Sequence, residues 1–505
     1  MKRCVLLGLL LLLSACHTRR TEPPPPDAVV VILPREPEQL DPRFVSDAYA
    51  VKITRLLFAS LMRIDPFTLE AVPDLAASVQ VEDDTRYRVV LRPNLHFSDG
   101  TVLDADDVVA TFRGLVDPAV KSRYASTFAR IAKVEAVSPR EVLFELGAPH
   151  ATFLTDLEVP IMRAEDARKP PAPGTVPVGA GPYRLGSRAA GLYALRANPR
   201  YHGPPPPHAG LSLLVIRDDN TRALRLLAGA ADLALNTVPP LLLPLFTAPR
   251  FQIRSEPGIG TTYLGLNLAH PALADVRVRR ALAHALDRAR VVRHKLLGRA
   301  QLASSWIPPG HWAHAADTPV HAYDPDAARA LLDAAGLAPK DGVRLALTLR
   351  TSSDRAVLSL ARALASMLAE VGIDLDVRPS ENATLLADLA RGRFEVAFLQ
   401  SPDVIEPHTL SWFFTSDRIP ETGKREGGNR WRVRVPELDA AFEDGRRALD
   451  RNARVAAYHR VQHLLARELP VIPLWHEDVV AVTSRRLEAF RVPRDGRFGT
   501  LAAAY

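Results

Sequence analysis

Strands and helices alternate in the sequence between residues 345 and 399, and this alternation constrains the fold more than any other feature. Short apolar runs typical of strands are separated by longer runs with helical spacing, and glycine ends one of the helices. A β-α-β-α-β order predicts a mainly parallel sheet covered by helices, and therefore an α/β fold. The predicted elements are strands over 345–349, 373–377 and 394–399 and helices over 357–371 and 384–390.

Acidic residues at 104, 106 and 107 admit two interpretations. Asp104 precedes a predicted helix, where an aspartate can cap the first backbone amides, and Asp106 and Asp107 suit the positive end of the helix dipole. A metal site is the alternative, but no histidine or second carboxylate cluster lies nearby in the sequence. We therefore expect a capped helix here and no metal.

The first sixteen residues have the pattern of an export signal. Lys2 and Arg3 precede an apolar run, and the run ends in Leu13-Ser14-Ala15-Cys16. The run is shorter than the roughly 20 apolar residues that span a membrane. The last four residues resemble the lipobox of bacterial lipoproteins, in which the signal is removed before the cysteine and the cysteine is lipidated. An ordinary secretory signal is the alternative. Either interpretation places the mature protein outside the cytoplasm.

Composition excludes several classes of protein. The other cysteine, Cys4, lies inside the signal, so lipidation of Cys16 would leave no thiol for a disulfide or a thiolate metal site. The net charge is +7, but arginine is spread along the chain among acidic residues, so we expect no nucleic-acid partner. Residues 17–28 contain four consecutive prolines and predict an extended tether between the signal and the folded body.

No catalytic constellation stands out. The sequence has no His-Glu-x-x-His, no Gly-x-Ser-x-Gly and no Walker motif. His459 and His463 lie four residues apart on a predicted helix, but a third ligand is not in view, so a solvated helix face is the favoured interpretation. His476-Glu477-Asp478 is predicted to lie in a loop. We expect a protein that is not an enzyme and that needs no cofactor and no metal.

Several motifs occur in a fixed order along the mature chain. They are Leu40-Asp41-Pro42, Phe97-Ser98-Asp99-Gly100, Gly179-Ala180-Gly181-Pro182-Tyr183, the run Leu273 to Leu282 and Tyr323-Asp324-Pro325. Together, and behind a lipobox, they resemble the family 5 extracytoplasmic solute-binding proteins of ABC importers, the oligopeptide-, dipeptide- and nickel-binding group. The motifs themselves are capped helices and turns, and we expect them to form scaffold and not to touch ligand.

The resemblance implies a two-lobed, periplasmic-binding-protein-like α/β fold of type II, in the large peptide-binding class. A hinge near Gly260 and Leu474 would let the lobes close on a solute. Lobe I is expected over 29–262, with a subdomain at about 45–168, and is completed by 479–505. Lobe II is expected over 263–478.

The same resemblance implies a function and a cellular location. The protein would capture peptides or a similar small solute and deliver them to a membrane permease with separate ATPase subunits. It would act as a monomer on the periplasmic or outer-surface side of the cell envelope, anchored at Cys16. Two alternatives remain: a solute sensor or scaffold with the same fold, and a binding protein for nickel chelates or other small solutes.

The resemblance also implies site residues. Family members carry an Asp-x-x-(Asp/Glu)-Pro segment whose first aspartate pairs with the α-ammonium group of a peptide, and Asp403 and Glu406 fall on its acidic positions. Asp403 could equally be a turn residue before Pro407. Many relatives have a tryptophan just before this aspartate and this chain does not. Trp412 and Trp431 follow nearby and could line the pocket, or pack in the core.

Overall fold

A computed structural model describes residues 22–45, 47–170, 174–421 and 427–502. The predicted signal, Cys16 and the first part of the tether lie outside these residues. Within the described part of the chain, no helix is long and apolar enough to cross a membrane.

The helices begin with α1, which is capped by the side chain of Asp47. The helices are α1 (Ala48–Leu57), α2 (Ala105–Val116), α3 (Ala125–Phe128), α4 (Phe153–Asp156), α5 (Ala164–Ala167), α6 (Asp219–Leu227), α7 (Pro271–Ala274), α8 (Val276–His284), α9 (Arg288–His294), α10 (Pro325–Ala334), α11 (Arg355–Ala369), α12 (Asn382–Ala390), α13 (Ser411–Phe414), α14 (Pro436–Arg447) and α15 (Arg451–Glu468).

The strands form one long sheet and two smaller ones. They are β1 (Val29–Leu33), β2 (Met62–Ile64), β3 (Ala71–Pro73), β4 (Ala76–Val81), β5 (Arg86–Leu91), β6 (Ile131–Ser138), β7 (Glu141–Leu146), β8 (Tyr183–Ala189), β9 (Leu192–Ala197), β10 (Gly210–Val215), β11 (Leu233–Leu235), β12 (Phe251–Pro257), β13 (Thr262–Leu266), β14 (Ala300–Leu302), β15 (Leu345–Ser352), β16 (Ile373–Ser380), β17 (Val396–Gln400) and β18 (Val471–Ser484).

Strand β18 joins the two lobes. Its first half pairs with β13 and β14, in the lobe that also holds β15, β16 and β17. Its second half, from Asp478 to Ser484, pairs with β12 in the lobe that holds β1 and β8 to β11. The sequence predicts two strands here with a loop at His476-Glu477-Asp478. That prediction is wrong, because these three residues continue a single strand from one lobe into the other.

The long sheet is mixed and not mainly parallel. Strand β15 pairs in parallel with β16 and β17, and β1 pairs in parallel with β10 and β11, as crossover connections require. Strand β13 pairs antiparallel with both β17 and β18. The alternation of elements over 345–399 therefore predicts the local parallel pairing correctly, but it carries no information about the distant strands that complete the sheet.

A four-stranded antiparallel sheet, in the order β4-β5-β7-β6, forms a separate layer covered by α2. The Asp104 side chain accepts a hydrogen bond from the amide of Asp106 at 2.9 Å, and the Asp107 carboxylate accepts one from the amide of Asp104 at 3.1 Å. This capping box confirms the prediction that the acidic run begins a helix.

The described end of the tether lies on the folded body. Glu22 pairs with Arg184 at 2.8 Å and Arg196 at 3.1 Å, and the amide of Glu22 donates to the carbonyl of Gly186. Arg196 also donates to the carbonyl of Pro23 at 2.7 Å. The polyproline pattern predicts an extended tether here. In the structure, arginines on β8 and β9 bind the start of residues 22–28, so this part of the tether is attached to the folded body.

The glycines of the Gly179-Ala180-Gly181 motif allow two chain segments to approach closely. A Cβ atom on Gly179 would lie 2.0 Å from the carbonyl oxygen of Leu57, and one on Gly181 would lie 2.5 Å from the carbonyl carbon of the same residue. Larger residues would therefore push the motif away from the end of α1. This contact agrees with the expectation that the motif is scaffold.

Candidate functional site

The loop over 401–406 follows β17 and lies at the crossing between the lobes. The amide of Ser401 donates to the carbonyl of Thr261 at 2.8 Å, and the amide of Thr261 donates to the Ser401 hydroxyl at 2.9 Å. Farther along, the amide of Val404 donates to the carbonyl of Ile259 at 3.2 Å. The loop is therefore tied to the segment that links β12 to β13, so its position follows any movement of the lobes at that segment.

Asp403 presents a free carboxylate in this loop. Its side chain makes no hydrogen bond or ion pair with any residue that the structure describes, and it keeps contact with solvent. Burial by the surrounding protein raises the pKa of the carboxyl group, and the positive charges of Arg497 and Lys52 oppose that rise. Both cations belong to the other lobe. Asp403 therefore faces across the cleft between the lobes.

Lys52 is a functional candidate that the sequence does not reveal. It lies on α1, and its Nζ is 5.1 Å from the ring centre of Tyr49 and 5.6 Å from that of Phe498. Burial lowers the pKa of Lys52, and the charges of Asp403 and Asp495 oppose that change. A lysine on a helix with ordinary spacing carries no signal of its position in a cleft, because the partners that place it there are more than 300 residues away.

Glu406 does not present a free carboxylate, in contrast to Asp403. It binds Arg454 of α15 at 2.5 Å and caps the short 3-10 helix Pro407–Leu410 by accepting a hydrogen bond from the amide of His408. Burial raises the pKa of Glu406 to about 7, although Arg454 opposes the shift. Both partners of Glu406 lie in its own lobe, so its contacts indicate a structural role and not the ligand-binding role that the sequence pattern predicts.

The lobes also touch at a second place, away from the crossing strands. The amide of Ala151 donates to the carbonyl of Arg446 at 3.0 Å, and the Arg446 guanidinium donates to the carbonyl of Pro149 at 3.2 Å. Glu70 and Arg451 form an ion pair at 2.9 Å. The structure therefore represents an arrangement in which the lobes are closed on each other and touch away from the crossing strands as well as at them.

The two candidate tryptophans differ in burial. Trp431 is 0% exposed and packs on Tyr263 and Phe394, with the backbone of Gly265 against its ring. The prediction that it lines the pocket is wrong for this structure, since no part of its surface is open to a ligand. Trp412 is 40% exposed, and its ring lies 5.3 Å from the guanidinium carbon of Arg418. Trp412 is therefore accessible, but no contact links it to Asp403.

The side chains that could bind a metal are scattered in the part of the chain that the structure describes. Among the described residues, no three of the His, Cys, Asp and Glu side chains are placed to hold one ion. His463 pairs with the exposed Asp317 at 3.2 Å on the outer face of α15. His476 lies in β18, where its Nδ1 is 3.0 Å from the Thr261 hydroxyl.

Sequence comparison identifies relatives over most of the chain. Residues 70–420 match the family described as bacterial extracellular solute-binding proteins, family 5 Middle. The chain is 29% identical over 476 residues to the probable di/tripeptide-binding protein 5 of Pseudomonas aeruginosa (strain UCBPP-PA14), and the match covers 88% of each chain.

Solved structures with the same fold cover almost the whole chain. NikA from Brucella suis, in complex with Fe(III)-EDTA, is similar with a TM-score of 0.85 and 24% identity, over 94% of this chain and 99% of that one. The oligopeptide-binding protein AppA from Bacillus subtilis, in complex with a nonapeptide, is similar with a TM-score of 0.80 and 22% identity, over 95% and 99%. The predicted two-lobed α/β fold is confirmed. As its motifs predict, the chain belongs to the family 5 extracellular solute-binding proteins of ABC transporters, and it is a binding protein and not an enzyme.

Proposed function

We propose that this protein binds peptides through their free amine in the cleft between the lobes and delivers them to an ABC transporter permease. The observation that carries the proposal is the carboxylate of Asp403, which faces the opposite lobe without a direct partner among the described residues. A peptide ammonium would supply that partner through a charge-assisted hydrogen bond. A curated relative named a di/tripeptide-binding protein, at 29% identity, supports this class of cargo.

Closure of the lobes would retain the cargo. The backbone crosses between the lobes at 258–261 and again within β18, where the pairing partner changes at Asp478. We place the hinge at these two crossings, with lobe I over 29–261 and from 478 onward. The second crossing thus falls a few residues after Leu474, where the sequence pattern predicts it. Because this hinge is in direct contact with the loop over 401–406, ligand binding at the loop is coupled to closure of the lobes.

The N-terminal segment supplies the cellular location. Lipidation at Cys16 would hold the protein at the membrane surface on the extracytoplasmic side, near its permease. Glu22 and Pro23 are held by arginines of β8 and β9, so the tether is bound to the folded body from Glu22 onward. Replacing Cys16 with serine in the full-length chain should abolish incorporation of labelled palmitate. Palmitate incorporation by the serine variant would contradict the anchor.

Peptide binding is tested by thermal unfolding. A ligand that binds only the folded protein raises the melting temperature, by an amount that grows with the logarithm of its concentration relative to its Kd. We expect a rise with di- to pentapeptides that have a free amine, and no rise with their N-acetylated forms. If no member of such a peptide series changes the melting temperature, peptide is not the cargo. A Ni(II)-histidine arm in the same screen tests the alternative cargo directly.

A further inference from the structure

A cavity of about 500 Å³ lies in lobe I beside the cleft. Residues of β2, of the loop over 201–204 and of the C-terminal segment from 495 to 502 line it. Its volume lies within the range of about 300–1,000 Å³ that is usual for small-ligand sites. The cavity is therefore large enough to hold a side chain or a small part of a bound molecule.

Arginines dominate the charge of the cavity wall. Two of them, Arg55 and Arg497, share the carboxylate of Glu158 at 3.3 Å and 2.6 Å, and Arg497 also lies 3.7 Å from Asp495. The positive charge at this end of the cavity is therefore largely balanced by protein carboxylates.

The other two arginines of the wall lack such a balance. The Arg92 Nε donates to the backbone carbonyl of Asp74 at 2.6 Å, while the Asp74 carboxylate accepts from the Ser60 amide at 3.1 Å and lies 2.9 Å from the His202 Nε2. The guanidinium of Arg63 makes no hydrogen bond or ion pair with any residue that the structure describes.

The carboxylate of Asp65, which interacts electrostatically with Arg63, already accepts hydrogen bonds from backbone amides. Asp65 lies two residues away, just after β2, and its carboxylate accepts hydrogen bonds from the amides of Phe67 and Thr68, both at 2.9 Å. A guanidinium carries five donors, and Arg92 uses one of them on the Asp74 carbonyl, so both side chains keep donors for planar groups such as a carboxylate. Arg63 and Arg92 thus present positive charge to the cavity without a protein carboxylate bound to either of them.

The cavity adjoins the proposed amine site. Arg497 and Asp495 both line the cavity. Arg494, in the same segment, donates to the carbonyl of Pro257 at 3.5 Å, next to the crossing at 258–261 to which the loop of Asp403 is bound. The charge of Arg497 also acts on Asp403. A peptide whose ammonium binds Asp403 would therefore have the side chain of its first residue close to the mouth of the cavity.

We propose that this cavity is a subsite for an acidic side chain on the first residue of the cargo, bound by Arg63 and Arg92. The inference rests on the proposed binding of a peptide amine at Asp403. It predicts that the protein prefers peptides that begin with aspartate or glutamate over peptides that begin with the corresponding amides. Shape and size differ little within each pair, so the preference would come from charge.

Four peptides test the subsite by calorimetry. Asp-Ala-Ala and Asn-Ala-Ala, each with a free amine, are compared with free and with amidated C-termini, so that the terminal carboxylate is separated from the side chain. We expect the wild type to bind the aspartyl peptide about tenfold more tightly, with or without the amide. Arg63→Gln should reduce that preference to about twofold or less, and Arg63→Lys should restore part of it.

The controls separate this inference from the function on which it rests. Arg123→Gln changes an exposed arginine of the same lobe that does not line the cavity, and it should keep the tenfold preference. Binding of all four peptides with equal affinity would overturn the subsite and leave peptide binding intact. Absence of binding by every peptide would overturn the proposed function itself. A preference that depends only on a free C-terminus would also overturn the subsite.

Discussion

The backbone amide of Ala151 donates a hydrogen bond to the carbonyl oxygen of Arg446 at 3.0 Å, and this bond joins the two lobes far along the sequence from the crossing strands. The Arg446 side chain adds a second bond to the same segment, at the carbonyl of Pro149, while Glu443 holds its guanidinium at 2.6 Å. Contacts that exist only when the lobes are closed favour the closed state, and they raise the apparent affinity for a ligand that needs closure.

Arg446→Ala should therefore weaken ligand binding without touching the ligand. Loss of one hydrogen bond from a charged donor is worth about 1.5 kcal/mol, or roughly tenfold in affinity. Calorimetry with a bound peptide measures the change, and small-angle scattering should detect a more open unliganded protein. Arg447→Ala is a matched control, since Arg447 binds the same Glu443 from an exposed position. Equal effects of the two variants would contradict a role for the contact between lobes.

Asp403→Asn should weaken the binding of peptides with a free amine by tenfold or more, because losing one partner of a charged hydrogen-bonded pair typically costs about 2–5 kcal/mol. The affinity for N-acetylated peptides should stay as low as in the wild type. Calorimetry with both peptide forms checks the prediction. Equal losses for the two forms would remove Asp403 from the amine site and leave it as a turn residue.

A comparison of Asp403 with Glu406 shows how much of the site the sequence predicts. Asp403 and Glu406 stand three residues apart in one loop, and the sequence assigns both to ligand binding. The structure leaves Asp403 facing the cleft but buries Glu406 against Arg454, which is 48 residues away. A sequence pattern specifies that a carboxylate is present, but whether a protein cation neutralises it depends on a helix that packs there only in the folded chain.

Local elements were predictable for a similar reason. The capped helix after Asp104 and the strand predicted over 345–349 depend on neighbours in the sequence, and the structure has both, with the strand continuing to Ser352. The continuous strand β18 could not be predicted, because its polar centre resembles a loop until strands of both lobes pair with it. The cleft likewise depends on Lys52 and Arg497, which only the tertiary fold brings near Asp403.

Trp431→Ala should destabilise the protein by about 3–5 kcal/mol, since it removes a fully buried aromatic side chain from a packed core. Urea unfolding measures the loss, and the folded fraction should keep its peptide affinity. Trp412→Ala, at an exposed position, should change stability by less than about 1 kcal/mol. A large loss of peptide affinity in the folded Trp431→Ala variant, with little loss of stability, would show that Trp431 lines the ligand pocket.

Acid should destabilise the protein through His476. Burial lowers the pKa of this side chain to about 4, and its Nε2 has no hydrogen-bond partner among the described residues. The unfolded chain has a histidine pKa near 6.5, so it takes up a proton that the folded protein excludes. The contribution of His476 to the free energy of unfolding is fully present above pH 6.5. It falls by about 1.4 kcal/mol per pH unit as the pH drops toward 4. His476→Gln should lose about 2 kcal/mol less than the wild type between pH 7.5 and pH 5 in urea unfolding. His294→Gln changes an exposed histidine and should follow the wild type, and parallel curves for all three proteins would show that His476 is not held neutral.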